Sequence, residues 1–183
     1  YILRHGETAW NREGRMQGRL DSPLTEVGQA QARKQREILA SRLPQTCAVF
    51  ASPAGRARQT AEIACASLGP VAILEDLAEL HMGKWQGLSQ SEIAATDAGR
   101  AALEEGAFWK FHAPEGESLD TLFERTRRVL ARLEGPSVLV THGVTSVALR
   151  LLARGDDIDR FEHLDDPQGV VFAIENHREE IWR

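Results

Sequence analysis

At 183 residues, 42% hydrophobic and 27% charged, the chain has the size and balance of one ordinary globular domain spanning 1–183. That balance excludes collagenous, disordered and coiled-coil classes, and no apolar run reaches the roughly 18–20 residues a membrane-spanning helix requires. The net charge of -5 is unevenly spread: residues 1–58 hold ten Arg and Lys against five Asp and Glu, and the rest hold twelve against twenty-two. An acidic body with a basic first third argues against nucleic-acid binding, which needs a broad basic face, and suits a local anion pocket.

Tyr1-Ile2-Leu3 reads as the end of a buried strand running into polar, Gly-containing residues. Pro23-Leu24-Thr25 announces a helix to about Arg42, with Thr25 as its N-cap. Cys47–Ala51 is a second strand, followed by Ser52-Pro53 and a helix from about Gly55 to Ser67, and Val71–Leu74 is a third strand. Residues 84–117 are the least regular and predict short helices and loops. Leu119, Leu122, Phe123, Val129, Leu130 and Leu133 recur at helical spacing, predicting an amphipathic helix over Ser118–Glu134. Ser137–Thr141 is a β-type run ending at His142-Gly143, and the next segment, to Ala153, reads as helix. Val170–Glu175 and Glu180–Arg183 read as two closing strands joined near Asn176-His177. Such alternation predicts a three-layer α/β/α sandwich around a mainly parallel sheet. Ligands of such sheets bind beyond the carboxyl ends of the strands, so Arg4-His5-Gly6, Ser52-Pro53 and His142-Gly143 should meet at one crevice.

Cys47 and Cys65 have neither metal-ligand spacing nor a disulfide framework, and read as free thiols of a reducing compartment; a cytoplasmic location is the expectation. No secretory leader is visible, and the chain opens on Tyr1 without an initiator Met. Arg4-His5-Gly6 alone reads more readily as a structural histidine than as a reactive one. The reactive reading needs an anion site. Arg4 offers a planar donor fork for phosphate, and Gly6 permits close backbone approach of a ligand. Thr8, Asn11, Gln17 and Gly18 add neutral donors. Arg56 reads on its own as an exposed helix residue, Glu79 has Glu75 and Asp76 as rivals, and His142 reads equally as structural.

Several ordered segments change these readings. Arg4-His5-Gly6-Glu7-Thr8-Ala9-Trp10-Asn11, Arg15-Met16-Gln17-Gly18 and Asp21–Thr25 with Gly28 resemble the opening signature of the histidine phosphatase superfamily, which includes cofactor-dependent phosphoglycerate mutases. The resemblance continues through Ser52–Ala61, Leu77–Gly87, Pro114–Ser118 and Thr141–Val144. It departs at Pro53-Ala54-Gly55, where the family carries Leu and a bulky or basic residue, and at Glu115, where many relatives have Gly. The resemblance implies a phosphoglycerate mutase-like fold and a metal-independent reaction with no cofactor. It implies His5 as nucleophile forming a phosphohistidine, Arg4, Arg56 and His142 around the phosphoryl oxygens, and Glu79 as general acid and base. Asn11, Gln17, Gly18, Thr8 and Gly143 would bind the substrate. Glu79 would need a raised pKa for this work.

Mutases of the family hold the substrate carboxylate with basic residues in a longer insertion. Here Leu88–Glu117 offers only Arg100 and Lys110, with Phe108, Trp109 and Phe111 as candidates for an apolar wall or for plain packing. The expectation is a phosphomonoester hydrolase acting on a small molecule, without nucleic-acid or membrane partners. A phosphoglycerate mutase is the alternative, and a catalytically silent phosphate-binding module a second one. Nothing in the sequence indicates the oligomeric state.

Overall fold

The computed structural model describes residues 1–43 and 47–183, apart from the side chains of Ala107 and Glu162. Its strands are β1 (Ile2–Arg4), β2 (Ala48–Ala51), β3 (Val71–Ile73), β4 (Ser137–Thr141), β5 (Val171–Glu175) and β6 (Arg178–Trp182). They form one sheet in the order β3-β2-β4-β1-β5-β6. The first four are mutually parallel, with Ile2 beside Leu139 and Val49 beside Val138; β5 and β6 run antiparallel as a hairpin. Short apolar strands with neighbours on both faces suit the buried parallel part, and all five residues of β4 are buried.

Alternation along the strands sends side chains to two cores. Leu3, Val49, Val138 and Val140 point to one face, against α2 (Glu26–Arg42) and α3 (Gly55–Ala64). Ile2, Leu139 and Phe172 point to the other, against α6 (Leu119–Ala131) and α7 (Gly143–Arg154). Fully burying a residue such as Leu3 or Leu139 contributes about 1.5–3 kcal/mol. A third core lies on the outer side of α7. Val144, Val147 and Leu151 there meet Leu80, Trp85, Ile93, Trp109 and Phe123. This core organises residues 80–113, which contain α4 (Gln90–Ala94), α5 (Asp97–Leu103) and 3-10 turns at Gly83–Trp85 and Gly106–His112.

The structure agrees with the expected mainly parallel α/β sandwich and differs in detail. A one-turn helix, α1 (Ala9–Arg12), follows β1. Thr8 and Asn11 close a reciprocal capping box on it, a local device with no apolar period to betray it. Helix α3 stops at Ala64, three residues before its expected end. Strand β6 starts at Arg178, because Asn176 and His177, both with positive φ, make a two-residue turn. Cys47 and Cys65 are free and buried, and burial pushes the Cys65 thiol up to about 12. Among the described residues no helix is long and apolar enough to cross a membrane.

Candidate active site

A cavity of about 530 Å³ opens beyond the carboxyl ends of β1 and β4, as the sheet rule requires. His5 continues β1 by one more bond, its amide donating to the Thr141 carbonyl at 2.9 Å. The ring Nδ1 lies 2.7 Å from the Gly6 carbonyl, which can only accept, so Nδ1 carries the hydrogen and Nε2 keeps its lone pair. Arg56 Nε donates to that Nε2 at 3.2 Å. Burial, then the neighbouring His142, Arg56 and Arg4, hold His5 well below its usual range, so the ring is neutral.

Gly6 has a different task from the one expected. A Cβ there would strike the backbone of Gly28, and one on Gly28 would strike the backbone of Glu7. The two glycines let the loop after β1 lie directly on the first turn of α2, where Thr25 Oγ1 caps Gly28 N at 3.0 Å and donates to the Glu7 carboxylate at 2.6 Å. The close approach is of backbone to backbone, and it fixes where His5 stands.

Arg56, at the start of α3, is 1% exposed, so the exposed-helix reading is overturned, whereas Arg58 is exposed. Its guanidinium is held by the carbonyls of Leu20 and Gly18 at 2.7 and 2.8 Å and by Asp21 at 3.0 Å. Gly18 therefore serves the site through its carbonyl, in a left-handed turn with φ of 53°. Arg4 donates to the Asp166 carbonyl at 2.7 Å and faces the Asp166 carboxylate at 3.5 Å. Asn11 and Gln17 both line the cavity. The Asn11 Oδ1 accepts from Thr8 N and from Gln168 Nε2, each at 3.2 Å, which leaves its amide group to face the cavity.

Two expected residues are placed otherwise. Thr8 is fully buried with its hydroxyl capping α1, so it is no substrate donor but the anchor of Asn11. His142 is fully buried too, edge-on to His5 with ring centroids 5.1 Å apart and Nε2 2.7 Å from Ser52 Oγ. It is not among the residues that line the cavity, and its buried Nδ1 has no hydrogen-bond partner among the described residues. Burial first, then Arg56, Arg125 and Arg4, keep it neutral. Gly143 does line the cavity. As the first residue of α7 its N–H lacks an intrahelical partner.

Of the three acidic rivals only Glu79 reaches the cavity; Glu75 is exposed and Asp76 pairs with Arg128 at 2.9 Å. The Glu79 carboxylate sits on the N-terminus of α7, accepting from Val144 N and Thr145 N at 3.2 Å each, and from Leu80 N at 2.9 Å. Burial works to raise its pKa, but the Leu80 amide, Arg56, the Val144 amide and Lys110 outweigh it. In the empty cavity the pKa is lowered, contrary to the expectation, because the helix end and two cations favour the carboxylate.

The segment carrying Glu79 is itself clamped. Arg125, buried on α6, donates to the carbonyls of Asp76 and Ala78 at 2.8 and 2.7 Å and takes Glu117 at 2.6 and 3.0 Å. Thr145 and Thr141 hydroxyls hold the Ala78 and Leu77 carbonyls, each at 2.8 Å. Sequence reasoning missed Arg125, Asp166 and Gln168, whose Nε2 also donates to the His5 carbonyl at 3.0 Å. It noted Lys110 only as a cation, yet Lys110 lines the cavity, where burial lowers its pKa. Of the aromatic candidates, Trp109 lines the cavity, while Phe108 and Phe111 pack around Phe161, which lines it from elsewhere in the chain. Among the described residues, no group of three His, Cys, Asp or Glu is arranged to hold a metal ion.

A neutral imidazole with an unprotonated Nε2, flanked by arginines at the carboxyl edge of a mainly parallel sheet, defines an α/β protein with a cationic pocket of the kind that suits an anion. Residues 1–182 match the family model of the histidine phosphatase superfamily (branch 1), and the chain belongs to that superfamily. It is 34% identical to the glucosyl-3-phosphoglycerate phosphatase of Mycolicibacterium vanbaalenii, covering 87% of this chain and 76% of that one. It is also 33% identical to a probable phosphoglycerate mutase GpmB of Erwinia tasmaniensis, over 91% and 86%. Among solved structures it resembles a mycobacterial glucosyl-3-phosphoglycerate phosphatase in complex with VO3. That match has a TM-score of 0.81 at 31% identity, over 99% of this chain and 96% of the other.

Proposed function

We propose that the protein is a phosphomonoester hydrolase that works through a phosphohistidine on His5. The observation that carries this reading is the tautomer of His5: the Gly6 carbonyl engages Nδ1 and puts the lone pair on Nε2 at the cavity, where it accepts from Arg56 Nε until that donor turns to a phosphoryl oxygen. Nε2 attacks phosphorus in line, the P–O bond to the leaving group breaks, and Glu79 supplies the proton that the departing oxygen takes up. A water then gives its proton to Glu79 and its oxygen to phosphorus. The P–N bond breaks, its electron pair returns to Nε2, and inorganic phosphate leaves. Arg4, Arg56, Asn11, Gln17 and the Gly143 amide stabilise the equatorial oxygens. His142 acts from behind, keeping the His5 ring in place.

Glu79 acquires its proton only with substrate present. Arg56 and Lys110 hold it ionised in the empty cavity, and a phosphate dianion offsets those same charges, so binding raises its pKa. A relative named as a phosphatase of a phosphorylated glycerate supports hydrolysis of a small phosphorylated metabolite. So does the partly apolar lining, where Trp109, Val147, Phe161 and Leu164 join the cations Lys110 and Arg15. The relatives named as probable phosphoglycerate mutases favour a second reading, transfer within phosphoglycerate.

His5→Ala should lower hydrolysis of an aryl phosphate by about 10⁴-fold or more, the scale for loss of a nucleophile, while a chelator leaves the wild type active. Robust turnover by His5→Ala would overturn the nucleophile assignment. Glu79→Gln should slow alkyl phosphates more than aryl ones, since good leaving groups need no acid; equal losses would return the role to another group. Strong stimulation by a bisphosphoglycerate would favour the mutase reading over hydrolysis.

A further inference from the structure

An anion pocket is a poor place for a second buried carboxylate, yet Asp166 lines this one. It comes from the segment before β5, and its side chain is 8% exposed. Oδ1 accepts the Ser146 hydroxyl at 2.7 Å and lies 3.7 Å from Arg150 Nη1. Oδ2 has no hydrogen-bond partner among the described residues. It lies 3.5 Å from Arg4 Nε and 3.6 Å from the place a Cβ would take on Gly143, at the first turn of α7.

The charges facing Asp166 come from four elements. Arg4 faces it from β1, Arg150 from α7, Lys110 from the Gly106–His112 turn, and Glu79 from across the cavity. Arg150 is drawn away by Glu179 of β6, which takes two of its nitrogens at 2.7 Å each. No cation donates directly to Oδ2. An oxyanion seated between Arg4 and the Gly143 amide faces that oxygen. Two negative oxygens in contact repel each other, and one proton between them converts the repulsion into a hydrogen bond.

We propose that Asp166 is a further phosphate-binding residue, which takes up a proton from solvent as the phosphoryl group enters and donates it as a hydrogen bond to a phosphoryl oxygen. The inference rests on this cavity being the phosphoryl site of the proposed hydrolase. The proton is bound and later released to solvent; it stays on Oδ2 while the P–N bond forms at His5. Burial raises the empty-site carboxyl from 3.8 to about 6, against Arg4, the Ser146 hydroxyl and Arg150, so a nearby dianion completes the uptake in the neutral range.

Sulfate is a suitable probe, because it stays a dianion throughout and reads binding without turnover. Calorimetric titration between about pH 5.5 and 8 should show the wild-type Kd loosening above pH 6, approaching about tenfold per unit for one linked proton. In Asp166→Asn the rise should shrink to the part linked to Glu79, in Glu79→Gln the part linked to Asp166 should persist, and in the double variant the Kd should be level with pH. Ser146→Ala, which removes a donor to the ionised form, should move the onset to higher pH; if Asp166→Asn does not fold, this variant decides alone. An undiminished rise in Asp166→Asn, its loss in Glu79→Gln alone, or an unmoved onset in Ser146→Ala would overturn the assignment. Absence of sulfate binding by the wild type would remove the phosphoryl site itself, so the two readings fail separately.

Discussion

His5, His142, Glu79 and Asp166 share one cavity region, and burial acts on all four, with different results. The two imidazoles lose their charge because burial and two or more arginines act together. Glu79 keeps its charge because three backbone amides, two of them at a helix N-terminus, donate to it, whereas Asp166 accepts one hydroxyl and its nearest cations, at 3.5 and 3.7 Å, donate no hydrogen bond to its carboxylate. The difference has a consequence for stability. A carboxyl raised from 3.8 to about 6 binds its proton more tightly when folded. Stability is then greatest below the unfolded value and is lost as pH rises through the folded one. Asp166→Asn should therefore stabilise the ligand-free protein at pH 8 by on the order of 1–3 kcal/mol, with the gain vanishing below about pH 4. Urea unfolding at both pH values checks this, and an equal effect at the two would count against it.

The elements that carry the site were legible in unequal measure. Strands β1, β2 and β4 and the N-cap of α2 were plain in the sequence, because short apolar runs between polar turns have few alternative readings. In isolation Arg56 reads better as a surface residue, Glu79 has acidic rivals nearby and His142 reads equally as structural; only their ordered motifs identified them. Asp166 and Gln168 stayed hidden for a topological reason. Pattern shows that Val171–Glu175 is a strand but not which way it runs, and the antiparallel direction puts the segment before it at the carboxyl edge of β1. Arg125 stayed hidden because a charged residue inside an amphipathic helix ordinarily faces solvent. Its burial with Glu117, both side chains 4% exposed, ties α6 to the Glu79 segment. Arg125→Met takes from the buried Glu117 its closest partner and leaves it the His81 amide at 3.2 Å and the half-exposed Arg19 at 3.7 Å, which should cost on the order of 3 kcal/mol in chemical denaturation. It should also slow alkyl phosphates more than aryl ones, as loss of a well-placed acid would. A purely structural role would leave that ratio unchanged.

At the scale of the whole molecule, β1 lies inside the sheet between two strands made much later. Leu3 pairs with Val140, and Ile2 with Leu139 and Phe172. Each pairing closes a loop of more than a hundred residues, whereas α2 and α3, or α6 and α7, pack against near neighbours in the chain. Refolding from urea should recover helical circular dichroism before sulfate binding, because the pocket needs β1 seated between β4 and β5. Simultaneous recovery of both signals would show that the long-range pairing is not the late step. During synthesis the same arrangement brings Arg4 and His5 out of the ribosome before the other cavity residues and houses them among the last. Until the residues of β5 have emerged, the nascent chain has neither Gln168 to hold the His5 carbonyl nor Asp166 beside Arg4. A half-made copy therefore presents His5 without the pocket that surrounds it in the finished fold.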